Sequence, residues 1–140
     1  MMKQEFFNLE INTNGQKLYE FTDKAIDWIK KNEFKDGILN FNIQHTSASL
    51  IVQENADPDV KTDLINYFNK LAPMNDFHYI HSTEGKDDMP AHIKSSLTNN
   101  QITLSIRKGE LLLGTWQGLY LFEHRLKPQL RKIIFHFLGN

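Results

Sequence analysis

The chain has 140 residues, 16 basic against 17 acidic, a formal net charge of -1, 40% hydrophobic residues and no cysteine. Balanced charge without long same-sign runs argues against a nucleic-acid partner, and the lack of cysteine removes disulfides, thiolate catalysis and cysteine-bound zinc. The size suits a single domain over residues 1–140, and with no signal-peptide core near Met1 and no run of ~20 apolar residues, the expected setting is the cytoplasm, away from membranes.

Phe7 to Ile11 alternates apolar and polar side chains and runs into Asn12-Thr13-Asn14-Gly15, which predicts a strand opening a hairpin. Thr22 is placed to cap a helix over about 23–31, with Phe21 stapling onto Ile26. After Asp36-Gly37, the apolar Leu39, Phe41 and Ile43 alternate with polar residues, predicting a half-buried strand that delivers His45 at its end. Asp57 and Pro58 open a second helix whose Val60, Leu64, Tyr67, Phe68 and Leu71 recur at helical spacing until Pro73. Residues 75–89 fit no period and predict a loop, Pro90 opens a short helix to about Leu97, and strands fill the rest. Among these, Ile102 to Arg107 alternates cleanly, Lys108-Gly109 turns into a strand over 110–116, and 119–123 precedes a last run over 131–138. Two to three helices with about seven hairpin-linked strands give an α+β fold, a mainly antiparallel sheet curled into a sandwich or barrel.

Three histidines, His45, His81 and His92, fall at strand ends or in polar segments, where imidazoles either hold a zinc ion with an open position or hydrogen-bond loop backbone. Glu84, Asp87 and Asp88 lie between two of them; such a cluster is a solvated loop, a Mg²⁺ site, or a group whose members raise one another's pKa until one serves as a general acid. Ser47 and Ser49 can hold an anion with backbone N–H groups. The segment Gly114-Thr115-Trp116-Gln117-Gly118 breaks an apolar strand, so Trp116 is either core beside a bend or a stacking wall for a ring. Arg125, in Glu123-His124-Arg125, suits bidentate phosphate binding or a rim salt bridge.

Four islands in order, His45-Thr46-Ser47-Ala48-Ser49-Leu50, Glu54-Asn55-Ala56-Asp57-Pro58, Glu84 through Lys94, and Gly114-Thr115-Trp116-Gln117-Gly118 with Glu123-His124-Arg125, resemble the YjbQ-like family of secondary thiamine-phosphate synthases. The resemblance implies a barrel-like homotrimer with the motif residues in a pocket near subunit contacts. It implies a weak, secondary transferase activity that joins an aminopyrimidine methyl diphosphate to a thiazole phosphate and releases pyrophosphate. By motif match His45, His81 and His92 are expected to converge as ligands of a divalent ion, zinc or magnesium, with no organic cofactor. Glu84, Asp87, Asp88 and Glu123 are the expected acid–base groups. Ser47, Ser49, Lys94, Trp116, Gln117 and Arg125 are the expected contacts to a phosphorylated or heteroaromatic substrate. The rival expectation is a non-catalytic, trimeric metal- or phosphometabolite-binding module.

Overall fold

The computed structural model describes residues 1–140, and its strands in chain order are β1 (Lys3–Thr13), β2 (Lys17–Glu20), β3 (Gly37–Ile43), β4 (Ala48–Glu54), β5 (Gln101–Arg107), β6 (Glu110–Leu111), β7 (Gln117–Glu123) and β8 (Gln129–Gly139). Three helices, α1 (Thr22–Lys31), α2 (Pro58–Leu71) and α3 (Asp88–Leu97), complete the α+β fold. Every strand pairing is antiparallel. One sheet runs β1-β8-β3-β5-β6 and the other β2-β7-β4. No helix is long and apolar enough to cross a membrane.

Both sheets and α1 share one core. The alternation read in β3 places Leu39, Phe41 and Ile43 inside, β8 adds Ile133, Phe135 and Phe137, and the second sheet adds Leu50, Leu119 and Leu121. From α1 come Ala25 and Ile29, one turn apart. Each buried aliphatic or aromatic side chain contributes about 1.5–3 kcal/mol. Strand β7 is covered on both faces: Leu119 and Leu121 enter this core, whereas Tyr120 and Phe122 join Leu18 beneath Ile65 and Phe68 of α2. A continuous apolar run in sequence is the signature of such a doubly covered strand.

Three local expectations are corrected. The turn at 14–16 forms, closed by Tyr19, whose hydroxyl accepts from Asn14 N–H and donates to the Gly15 carbonyl, but it joins no hairpin. Strand β1 leaves it to pair with β8 and β2 to pair with β7, so the two strands enter different sheets. Thr22 does not cap α1; its hydroxyl donates to Glu20 and accepts from the Leu119 N–H, while Phe21 packs edge-on to Phe41. The strand expected over 110–116 stops at Leu111, since Gln117 folds back on Gly114 through its backbone N–H and its side-chain oxygen.

Candidate functional site

The acidic segment before α3 is organised by a tight turn. Gly85 sits at φ +107°, a conformation costly for residues with a Cβ, and a Cβ there would meet Asp87 Oδ1 at 3.1 Å. The turn delivers Asp87 and Asp88 to the start of α3, where the helix dipole favours negative charge. α3 begins at Asp88, two residues before the expected Pro90, whose missing N–H costs nothing in a first turn. One turn on, His92 lies on the same face as Asp88.

Asp88 is the centre of the cluster. Its Oδ1 accepts from Arg125 at 2.6 Å, and its Oδ2 faces His81 Nε2 at 2.6 Å and His92 Nε2 at 3.1 Å. Glu84 reaches His81 Nε2 at 3.0 Å from a more exposed position. Asp87 Oδ2 accepts from Arg125 Nε at 3.0 Å and from the Leu126 N–H at 2.8 Å. Arg125 is therefore no open phosphate fork; its third contact is the Glu84 carbonyl at 2.9 Å.

The electrostatics correct the general-acid expectation for the aspartates. Burial pushes both carboxyls up, but at Asp88 the hydrogen bond to His81 and the charge of Arg125 outweigh it, and at Asp87 the Leu126 N–H and Arg125 do so. Both are held below the ordinary carboxylate range, hence ionised at neutral pH. The hydrogen bond from Asp88 in turn raises His81.

The three imidazoles do not converge on one ion position, although His45 and His92 line one cavity. The ligand atoms that lie within 4.8 Å of one another belong to His81, Asp88 and His92. His45 stands outside this set, its Nε2 accepting from the Lys132 N–H at 3.0 Å because β8 runs beside the end of β3. Glu123 is likewise no acid–base group. Fully buried, it accepts from Thr13, the His124 and Arg125 N–H groups, and Arg131 twice. Arg131 also donates to the carbonyl and hydroxyl of Ser47, so that serine helps join the two sheets.

Ser49 and Lys94 are both buried. Ser49 Oγ is 2.9 Å from His124 Nε2, and Lys94 Nζ donates to Asn69 Oδ1 at 2.6 Å. A Ser49–His124 pair therefore exists, but both residues are buried and His124 Nδ1 has no partner to orient it, so it cannot act as a hydrolytic dyad. His124 belongs to the Glu123-His124-Arg125 segment, and alternation along β7 gives its direction: with Glu123 inward, its neighbour must face the helices. Burial, with the charges of Lys94 and Arg131, lowers His124 from 6.5 to about 3.

That depression sets a pH dependence. Below pH 6.5 the unfolded chain protonates this imidazole while the folded chain does not until about pH 3, so stability is full above 6.5 and falls as pH drops. At ~1.4 kcal/mol per pH unit the loss from pH 6.5 to 4.5 is about 2–3 kcal/mol. In calorimetry with EDTA, His124→Gln, which keeps a partner for Ser49, is expected to lose less Tm than wild type between pH 7 and 4.5. Equal losses would refute this account.

Trp116 and Gln117 are not in the cluster. They sit at one end of β7 and Glu123 at the other, six residues or roughly 20 Å along an extended strand. Gln117 holds its own turn at Gly114, and Trp116 is 63% exposed.

The family described as UPF0047 protein YjbQ-like matches residues 7–140. The chain belongs to this family. A UPF0047 protein of Synechocystis is 49% identical over 94% of this chain and 90% of its own length. The YjbQ protein of Escherichia coli O157:H7 is 47% identical over 74% and 75%. Among solved structures, a conserved hypothetical protein from Thermus thermophilus superimposes with a TM-score of 0.82 at 32% identity, covering 91% of this chain and 97% of its own. A YbjQ-like protein from Sulfolobus solfataricus reaches 0.92 over the whole of both chains at 22% identity, a likeness of fold.

The donor set of this YjbQ-like chain fits a metal ion. His92 Nδ1 faces the Thr46 carbonyl at 3.0 Å and must carry its proton there, which leaves the Nε2 lone pair for a ligand and fixes the ring. Without an added proton or cation that lone pair would confront the Asp88 oxygen. Around a tetrahedral ion at about 2.0–2.1 Å, ligand atoms stand about 3.3 Å apart; Asp88 Oδ2 is 3.1 Å from His92 Nε2, and His81 Nε2, now hydrogen-bonded to it at 2.6 Å, would have to draw back to share the ion. Two imidazoles select zinc or a similar ion over magnesium, which takes oxygen ligands.

Proposed function

We propose that the chain is a divalent-metal enzyme acting on small phosphorylated heteroaromatic molecules, by a transfer of the kind that makes thiamine phosphate, and that it works as a homotrimer. The observation carrying this reading is Asp88, anchored by Arg125 on one oxygen and facing two imidazoles with the other. Glu84, Asp87 and Asp88 against Arg125 and Lys86 leave one uncompensated negative charge, which disfavours a phosphate at Asp88 unless a cation intervenes.

Two cavities flank the cluster, as a two-substrate condensation requires. One, of about 450 Å³, is walled by His92; the other, of about 370 Å³, is walled by His81 with Ser82 and Lys86. In the proposed reaction the thiazole nitrogen bonds to the pyrimidine methylene carbon as the C–O bond breaks, and the electron pair departs on the diphosphate. A divalent ion held by His81, Asp88 and His92 would supply the charge that this leaving group needs. Arg125 keeps Asp88 anionic and in place, the Thr46 carbonyl fixes His92, and Lys86 draws phosphate to the His81 side. Exposed Phe77, Ile80 and Leu130 support the assembly, since a partner subunit would cover them.

Protein purified without chelator or affinity tag, dialysed against zinc and submitted to elemental analysis, is expected to keep a single ion per chain. Supplied with both precursors, it is expected to form product slowly, and light scattering to give three times the 16.4 kDa chain mass. Failure to retain metal would sink the reading; retained metal with no product would make the chain a metal-binding module.

A further inference from the structure

α2 is the longest of the three helices, yet it alone has no buried residue. One stripe holds it to the body: Ile65 and Phe68 pack on Leu18, Tyr120 and Phe122, and Lys61 lies over the Tyr120 ring at 5.1 Å. Beside that stripe runs a second, Val60, Leu64, Tyr67 and Leu71, in the alternating steps of four and three that place apolar residues in a seam between paired helices. The N-terminal half of this seam is recessed, with Val60 and Leu64 half-buried. Its C-terminal half protrudes, Tyr67 being 60% and Leu71 51% exposed.

A two-fold axis across the seam matches each protruding residue with a recessed one. With the helices antiparallel, Tyr67 meets the partner's Leu64 and Leu71 meets the partner's Val60, and symmetry repeats both contacts. The flanking charges agree with this arrangement. Asp63 and Lys70 each precede a seam residue, so they lie along the same edge, and neither joins an ion pair within its own chain. Antiparallel pairing sets Asp63 against the partner's Lys70 on both sides of the axis. Parallel pairing would set Asp63 against the partner's Phe68, a side chain already packed edge-on to Phe122 at 5.6 Å between ring centroids.

We infer that α2 is a docking surface for α2 of a second copy of this chain, antiparallel across a two-fold axis, with the Val60-Leu64-Tyr67-Leu71 seam at its centre and two Asp63–Lys70 pairs along its edges. Four apolar residues on a helix of 14 fall short of the ~800 Å² per partner of a stable interface, so one such contact between single chains is weak. Between two cyclic assemblies the contact repeats around the ring and the repeats act together. On the homotrimer proposed above, three α2 pairs join two trimers; on a single chain, one pair joins two chains. The contact involves neither cavity and none of His81, Asp88 and His92, so it goes beyond the proposed function and does not rest on it.

Light scattering on the full chain, over a concentration series at low salt, tests the pairing. Wild type is expected to reach twice the mass of Tyr67→Glu, which places a carboxylate in the seam, while circular dichroism shows that variant folded. Asp63→Lys and Lys70→Asp are each expected to weaken pairing about tenfold, because two attractions become two repulsions, and the double reversal is expected to restore it. The chain has no cysteine, so introduced ones report on direction. Leu71→Cys mixed with Val60→Cys is expected to give a two-chain disulfide on oxidation, and Leu71→Cys alone to give none. If Tyr67→Glu does not fold, the charge reversals and the cysteine pair decide. Equal masses for wild type and folded Tyr67→Glu at every concentration, no rescue by the double reversal, or a disulfide formed by Leu71→Cys alone would overturn the inference. The readout is a doubling, whereas the mass of Tyr67→Glu itself, one chain or three, decides the trimer separately.

Discussion

Asp88→Asn is expected to weaken zinc retention and metal-dependent turnover by well over the ~10–100-fold that loss of a ligand's supporting partner costs. The reason is the number of groups served by one carboxylate. Arg125 takes one oxygen at 2.6 Å, and His81 and His92 face the other. An asparagine keeps a single oxygen: turned to Arg125 it presents an NH₂ to the ligand position, and turned the other way it presents that NH₂ to a guanidinium. Competition against a chromogenic chelator measures the affinity, and circular dichroism checks the fold. Glu84→Gln serves as the comparison, because Glu84 is exposed and 3.0 Å from His81 and should change zinc affinity by less than about threefold. Wild-type zinc affinity in Asp88→Asn would remove the metal site from the account.

Glu123→Gln is expected to cost about 3–5 kcal/mol, because it strips the counterion from a buried Arg131. For a chain of this size that lowers Tm by on the order of 10–20 °C. Glutamine also turns an NH₂ toward a shell made up of donors, from Thr13, Arg131 and two backbone N–H groups. Differential scanning calorimetry reads the shift. Zinc affinity of the folded variant at low temperature should stay near wild type, since Glu123 is not among the candidate ligands His81, Asp88 and His92. A variant with unchanged Tm and lost turnover would instead return Glu123 to the reacting groups.

The period of the side chains makes much of this legible without coordinates. Alternation in β3 and β5, the Asp57-Pro58 start of α2, and the polar stretch before α3 all follow from neighbours within a few residues, where backbone geometry acts directly. The same holds for the pairing of Asp88 with His92, one helical turn apart, although three histidines outweigh that spacing on paper. What tertiary structure alone decided is which of the candidate residues meet. His45, Glu123 and Ser49 carry the same chemistry on paper as His81 and Asp88, yet the sheet register hands His45 to the β8 backbone, Glu123 to Arg131 and Ser49 to His124. Trp116 and Glu123 belong to one island in sequence, yet Trp116 precedes β7 and Glu123 ends it. Local spacing determines which way a side chain points, whereas its partner is set by pairings between segments as distant as β1 and β8, and those answer to the burial of the whole core.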